Sequence, residues 1–205
     1  LVVGDGGMRH DNLVLYIGAK DSDYFDSEIK DFIGHEIQEY TYHVQSTLSR
    51  IPKTYEREIP EQYLYADRKT VCSFLRGLFS ANGTAACNGV SLCATSFKVI
   101  EQVQMMLSSV GIRSYYTTRK SFVLEGRTAD YVAKESYNLC INLDRQRFKE
   151  CIGFIQKYKN ERLDEIIKTK GKTRNNKKTY DIVSVEHLGK EETFDITVDN
   201  YTHTY

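Results

Sequence analysis

The chain has 205 residues, 28 Lys and Arg against 28 Asp and Glu, a formal net charge of zero and a mean hydropathy of −0.48. That length buries a sizeable core in one or two domains. A DNA-binding protein usually shows a basic excess, so balanced charge argues against one, and no apolar run approaches the ~18 residues of a membrane span. The five cysteines contain no C-x-x-C pair, so they read as buried thiols of a reducing, cytoplasmic compartment rather than a zinc or disulfide framework.

In chain order, Leu1–Gly7 (LVVGDGG) reads as the tail of a helix that ends at Asp5-Gly6. The four residues before Asp5 are too few for a helix worth forming alone. The chain is therefore expected to be a fragment whose first helix is cut away, and nothing before its first strand reads as a secretory leader. Asn12–Gly18 alternates Leu13, Leu15 and Ile17, a half-buried strand. Ser22 or Asp23 is expected to cap a helix carrying Tyr24, Phe25, Ile29, Phe32 and Ile33 and stopped by Gly34. Glu36–Val44 reads as one polar-aromatic strand, with Tyr40 and Tyr42 on one side, and Ser46–Glu58 carries no clear pattern. Pro60 fits the first turn of a short helix, and Asp67 caps the long helix that follows.

The stretch Phe74–Thr84 (FLRGLFSANGT) has two faces at helical spacing. Phe74, Leu75, Leu78 and Phe79 form a bulky one. Gly77 and Ala81, bordered by Ser80, form one with almost no side chain, which lets a second helix approach backbone to backbone. Asn82-Gly83 is expected to end the helix through a left-handed cap. Asp5-Gly6 lies 77 positions before Asn82-Gly83, and the same offset relates Leu13 to Val90, Leu15 to Leu92 and Gly34 to Gly111. A fixed offset across several elements is an internal repeat, so two half-domains joined through small-faced helices are predicted.

The second repeat continues with a strand at Val90–Ala94 and a helix capped by Ser96 that buries Val99, Ile100, Val103, Met106, Leu107 and Val110 before Gly111. Arg113–Thr118 and Tyr137–Leu143 pair as a hairpin across a polar loop. Asp144 caps a helix burying Phe148, Cys151, Ile152 and Ile155, and Glu161–Lys168 is a last short helix. Lys168–Lys178 (KTKGKTRNNKK) has six basic and no acidic residues, and reads as a solvated linker or as an arm that touches phosphates. Beyond it, Tyr180–Glu186 (YDIVSVE) and Thr193–Val198 (TFDITV) alternate like strands and lead into DNYTHTY.

FLRGLFSANGT resembles the second motif of the LAGLIDADG homing endonucleases, and LVVGDGG the tail of the first. The resemblance implies an α+β fold of two pseudo-repeated αββαββα halves, the first helix truncated, with the motif helices side by side. It also implies a double-stranded DNA partner, a monomer with two pseudo-symmetric halves, and Mg²⁺ held by an acid at the foot of each helix. By matched position the feet are Asp5 and Asn82, and Gly77 and Ala81 lie in the helix interface. Asn82 departs from the pattern, standing where an acid is expected. The family also places basic residues beside the cleft, and Arg113, Arg119 and Lys120 are the candidates for DNA contact, Lys120 also for catalysis; solvated surface charge is their other reading. The terminal stretch is similar to the C-terminal splicing strands of inteins, the Hint fold. That implies that Asp195 helps activate the nucleophile at the first splice junction, that His203 assists cyclisation of a terminal Asn, that splicing uses no cofactor, and that the flanking host segments, the exteins, are partners. The division implied is an endonuclease domain at 1–168 (halves 1–66 and 67–168), a basic linker at 169–178 and a partial Hint segment at 179–205.

Hydrolysis of a phosphodiester needs an attacking water, charge neutralisation and help for the leaving oxygen, which divalent ions held by carboxylates and carbonyls supply. Mg²⁺ prefers hard oxygen ligands. An acid at a helix C-terminus is locally unfavourable by about 0.3–1 kcal/mol, so Asp5 makes sense where a cation sits. Asn82 offers a neutral oxygen that coordinates without charge, or serves only as a cap. Three functions follow: an intein-borne endonuclease, a degenerate binding module without cleavage, and a structural insertion that holds two splicing halves together.

Overall fold

The computed structural model describes residues 1–21, 29–44, 50–86, 89–124, 131–169, 182–187, 189, 190 and 192. It divides into two compact units, Leu1–Thr173 and Arg174–Tyr205. In the first, a short helix α1 (Val2–Asp5) runs directly into β1 (Gly6–Arg9) and β2 (Asn12–Tyr16), followed by β3 (Ile33–Gln38) and β4 (Thr41–Val44). A single helical turn, α2 (Glu61–Leu64), precedes the long helix α3 (Arg68–Asn82), which runs into β5 (Gly83–Ala86) and β6 (Gly89–Ala94). Then come α4 (Phe97–Ser109), β7 (Tyr115–Arg119), a small hairpin of β8 (Phe122–Leu124) and β9 (Tyr131–Ala133), β10 (Ser136–Ile141), α5 (Arg145–Cys151) and α6 (Lys157–Lys168). The fold class is α+β.

The repeat is visible in strand order and in register. One antiparallel sheet runs β1-β2-β4-β3 and the other β5-β6-β10-β7. In the first, Gly6, Gly7, Met8 and Arg9 face Leu15, Val14, Leu13 and Asn12; in the second, Gly83, Thr84, Ala85 and Ala86 face Leu92, Ser91, Val90 and Gly89. Every one of these pairs is shifted by 77. The offset then changes. Val14 pairs with His43 where Ser91 pairs with Cys140, so an offset of 77 has become 97, and the β8–β9 hairpin lies in the inserted length.

Most of the buried cluster lies in the second half. Helix α3 buries Val71, Leu75, Leu78 and Phe79, and these pack with Ile100, Val103, Met106 and Leu107 of α4, Leu139 and Ile141 of β10, and Phe148 and Phe154. Each such side chain removed from water is worth about 1.5–3 kcal/mol before entropy is counted. Phe79 meets Phe148 edge-on, with ring centroids 4.9 Å apart. Asp67 caps α3 through the N–H groups of Lys69 and Thr70, and the Ser96 hydroxyl accepts from Val99 N at the start of α4.

Several expectations are corrected. The helix expected to stop at Gly34 does not reach it. Lys30–Phe32 form one 3-10 turn, β3 begins at Ile33, and Ile33 pairs with Val44; Ser22–Glu28 lie outside the described residues. The cross-strand pairing of two half-buried β-branched residues wins over the helical spacing. Gly34, inside a strand, is thus not the counterpart of Gly111, which ends α4 at φ +77°. Glu36–Val44 is a hairpin and not one strand: the chain turns at Tyr40, φ 62°, whose N–H donates to Glu36 Oε1 at 3.0 Å. Gly83 is not left-handed. It is extended, at φ −95° and ψ 156°, as is Gly6 at φ −83° and ψ 162°. Glycine is needed there because a Cβ would collide with the carbonyl oxygen of Phe79 or of Val2 as helix passes straight into strand. The Asp144 carboxylate makes no cap bond to α5; it accepts from the backbone N–H and the guanidinium of Arg113. Helix α6 begins at Lys157, four residues before the expected start. In the second unit, residues 182–187 form no strand, and Ile182, Val183 and Val185 are 83, 96 and 86% exposed. A strand needs a hydrogen-bonded neighbour, and the expected one, residues 193–198, lies outside the described residues.

Candidate active site

The ends of α1 and α3 meet through their small faces. A Cβ on Gly4 would collide with Ala81 Cβ and lie 3.2 Å from Asn82 Oδ1, and one on Gly77 would lie 2.8 Å from Leu1 N. Gly4 and Ala81 occupy the same position of the repeat, so the contact is one residue type of position meeting its own copy. Asp5 and Asn82 are the last helical residues of α1 and α3.

Each helix end carries a cation on its carbonyls. The Arg57 guanidinium donates to Val3 O at 2.9 Å, Gly4 O at 2.7 Å and Gly6 O at 2.9 Å. Lys159 Nζ donates to Ser80 O at 2.6 Å and Gly83 O at 2.9 Å. Val3 corresponds to Ser80 and Gly6 to Gly83 in the repeat. Positive charge at a helix C-terminus satisfies carbonyls left without intrahelical partners. Sequence reasoning missed both residues. Arg57 sits in YERE and Lys159 in KYKNER, strings that read as solvated surface, and their bonds span 51–54 and 76–79 residues.

The two feet differ in what surrounds them. Asp5 lines a cavity of about 40 Å³ with Asp21, Ser80 and Gln156. Asp21 Oδ1 accepts from Tyr158 Oη at 3.2 Å, and Lys20 lies 4.0 Å over the Tyr158 ring, so the turn at Ala19–Asp21 docks on α6. Gln156 donates to Ser80 O at 3.0 Å, while its own buried Oε1 has no protein partner among the described residues. Asn82 lines a different cavity of about 150 Å³ with Val3, Thr54, Arg57, Thr95 and Ser96, which holds no carboxylate.

The electrostatics follow. Asp5 is exposed as a residue, yet the atoms packed near its carboxyl push it above the ordinary carboxylate value, and Lys159 and Arg57 offset this only in part. Burial likewise lowers Lys159 and Arg57 below their usual values, with Asp21 and Asp5 opposing the shift at Lys159 and Asp5 opposing it at Arg57. Charged groups are thus held partly desolvated around Asp5. As a site for a divalent ion, the Asp5 foot supplies two carboxylates and an unpartnered amide oxygen, all hard donors. The Asn82 foot supplies one neutral oxygen beside a guanidinium and does not fit. No cluster of three or more His, Cys, Asp or Glu occurs among the described residues.

Of the other expected site residues, Gly77 lies against Leu1 and Ala81 against Gly4 of α1. Arg113 is held by Asp144 at 2.9 Å, Arg119 ends β7 with its guanidinium 4.1 Å from the Phe122 ring centre, and Lys120 follows it in the turn to β8. Lys120 is not among the groups that act on Asp5. Asp195 and His203 lie outside the described residues. The register places Thr117 and Arg119 of β7, Asn138 and Cys140 of β10 and Ser91 of β6 on one sheet face, away from Tyr116, which packs 5.3 Å from Phe97. Among the described residues, no helix is long and apolar enough to cross a membrane.

Residues 69–153 match the family described as LAGLIDADG-like domain. Over 166 residues the chain is 24% identical to ribonucleoside-diphosphate reductase NrdEB subunit alpha of Bacillus subtilis (strain 168), covering 73% of this chain and 15% of that protein. Over 116 residues it is 31% identical to a DNA polymerase of Thermococcus hydrothermalis, covering 53% of this chain and 7% of that protein. The chain therefore spans a small part of the length of these relatives. Among solved structures it is similar to mesophilic variants of the homing endonuclease I-DmoI, at 18% identity over 75% of this chain and 90% of that one with a TM-score of 0.48. It is also similar to I-DmoI in complex with DNA and Mn, at 17% identity over 75% and 92% with a TM-score of 0.46.

Proposed function

We propose that a LAGLIDADG-like domain of this kind serves here as the DNA-cleaving module of an intein, with one competent foot and one degenerate foot. The observation that carries the reading is the helix-end geometry. Two repeated helices deliver Asp5 and Asn82 side by side, and only the Asp5 side is furnished with carboxylates. The module spans residues 1–168, with halves at 1–66 and 67–168, and 169–178 links it to a partial splicing segment at 179–205. Similarity to short parts of a nucleotide reductase subunit and of a DNA polymerase supports an inserted module, because those two enzymes share no reaction that a common segment would serve. The C-terminal pattern around Asp195 and His203 supports placing it in a self-splicing protein whose partners are host exteins.

In this reading the polar faces of the two sheets lie against duplex DNA, with Arg119, Lys120 and Arg113 on or near that surface. Asp5, with Asp21 and Gln156 close by, would hold a divalent ion such as Mg²⁺, which supplies charge neutralisation and an activated water. Lys159 and Arg57 hold the helix-end carbonyls in place and set the local positive field. Asn82 leaves the second foot without anionic charge, and this favours a second reading in which the module binds nucleic acid without cutting either strand. The test is a time course of nicked and linear plasmid in Mg²⁺, using the module and the uninterrupted host site. Nicked product without linear product is expected. Equal rates of nicking and linearisation would overturn the degenerate foot. Duplex binding with no cut on either strand would establish the second reading.

A further inference from the structure

Away from the helix ends, the N-terminal half of α3 and the end of α5 border an open cavity of about 930 Å³ that the proposed function does not use. Arg68, Lys69, Arg76 and Lys149 line it, as do two thiols, Cys72 and Cys151. Arg68 and Cys72 stand four apart on α3 and so share one face. Arg68 Nη2 donates to Cys151 Sγ at 3.3 Å, which brings the last residue of α5 against that same face. Both thiols are half-buried and free. Burial raises Cys72, the neighbouring Cys151 raises it further, and Arg68 opposes, so the two sulfurs feel each other's charge. Asp67, which caps α3, and Glu150, which accepts from Gln146, also line the cavity, and Lys149 pairs with Asp164. Arg68, Lys69 and Arg76 outnumber those two lining acids, so the wall carries a small excess of positive charge.

We propose that Cys151 and Cys72 are a thiol pair that exchanges with a small anionic disulfide captured in this cavity. Cys151, hydrogen-bonded by Arg68, gives its proton to solvent, and its sulfur attacks one sulfur of the incoming disulfide. The S–S bond breaks, one thiolate leaves, and a mixed disulfide forms on Cys151. Cys72, having lost its proton to solvent, attacks the Cys151 sulfur, expels the second thiolate, and closes a disulfide between α3 and α5. The protein dithiol is oxidised by two electrons, the small disulfide is reduced to two thiols, and the leaving thiolates take up the two protons released. The small excess of cations on the wall attracts an anionic reagent, and the guanidinium N–H lies within hydrogen-bonding distance of the attacking sulfur.

The full chain is incubated with oxidised glutathione, alkylated and mapped by mass spectrometry. The expected result is a peptide cross-link between Cys72 and Cys151 with the mass of two hydrogens lost. Exchange should be faster than with an uncharged hydroxyethyl disulfide at equal concentration. Cys72→Ser should stop at one glutathione on Cys151, and Cys151→Ser should lose both adduct and cross-link. Modification confined to Cys93, which is exposed on β6, would overturn the proposal. So would an adduct on Cys151 that never resolves in the unsubstituted chain. The map of the unsubstituted chain decides the matter even where a serine variant fails to fold.

Discussion

The two halves carry the same four strands in the same order, in a register that repeats at 77 for the first hairpin. They nevertheless end their motif helices on different chemistry. At the first, Asp5 shares a small cavity with Asp21 and the unpartnered oxygen of Gln156. At the second, Asn82 shares one with Arg57. The backbone frame is common to both: extended Gly6 and Gly83, small Gly4 and Ala81, and a cation on the carbonyls of Val3 and Gly6 or of Ser80 and Gly83. Frame and charge are thus separable. The frame is set by backbone sterics, which one larger side chain would break. The charge is set by a few side chains drawn from distant segments.

The comparison is broken most directly by exchanging the acids. Asp5→Asn should remove metal-dependent cutting by about 10²–10³-fold, the scale for losing one transition-state charge contact. Asn82→Asp should raise the linear product, at a cost of about 0.3–1 kcal/mol from the helix dipole. Both are read from plasmid forms over time in Mg²⁺. If Asp5→Asn cuts as fast as the unsubstituted module, the Asp5 foot is not the competent one.

The next effect sharpens the frame. Arg57→Met strips three hydrogen bonds from α1 and Lys159→Met strips two from α3. Leaving such carbonyls without donors costs about 1–3 kcal/mol where water cannot replace them. We expect a lower urea midpoint for both variants, with Arg57→Met the larger loss. A larger loss for Lys159→Met would mean that the two caps are not equivalent.

Much of this frame was legible in the sequence. Local signals held: Asp67 and Ser96 cap their helices, and Gly77 and Ala81 form the small face. The offset of 77 survives because the first hairpin of each half is short and its register is pinned by burial of Leu13 and Leu15, or of Val90 and Leu92. It fails by Gly34, once the halves differ in length between their second and third strands. The turn at Tyr40 carries no Gly, Asn or Pro, so nothing marked it, and a left-handed tyrosine is uncommon. Arg57, Lys159, Asp21 and Gln156 could not be found from spacing, because each reaches Asp5 or the helix ends from a separate segment of the chain. Asp144 looked like a cap because its position was right; Arg113 competes for the same carboxylate and wins with three hydrogen bonds.

The smallest effect concerns the charge on Asp5 itself. Burial holds its carboxyl above the ordinary value. In the window between those two values the folded chain binds a proton that the unfolded chain has released. Stability then falls as pH rises through that window, and stays lower above it. The sign is opposite to that of a salt-bridged aspartate. Asp5→Asn carries no such charge, so in metal-free buffer it should be slightly more stable than the unsubstituted chain at neutral pH, and the gap should close as pH falls toward the acid range. Added Mg²⁺ should reverse the order, because an ion bound to the carboxylate stabilises only the chain that has one. Urea midpoints of the two chains, followed over pH with and without Mg²⁺, give the four curves needed. A gap that widens on acidification would mean that Asp5 is stabilised by Lys159 and Arg57 more than it is penalised by burial. In that case the cations, and not a metal ion, would be the partners for which the carboxylate is placed.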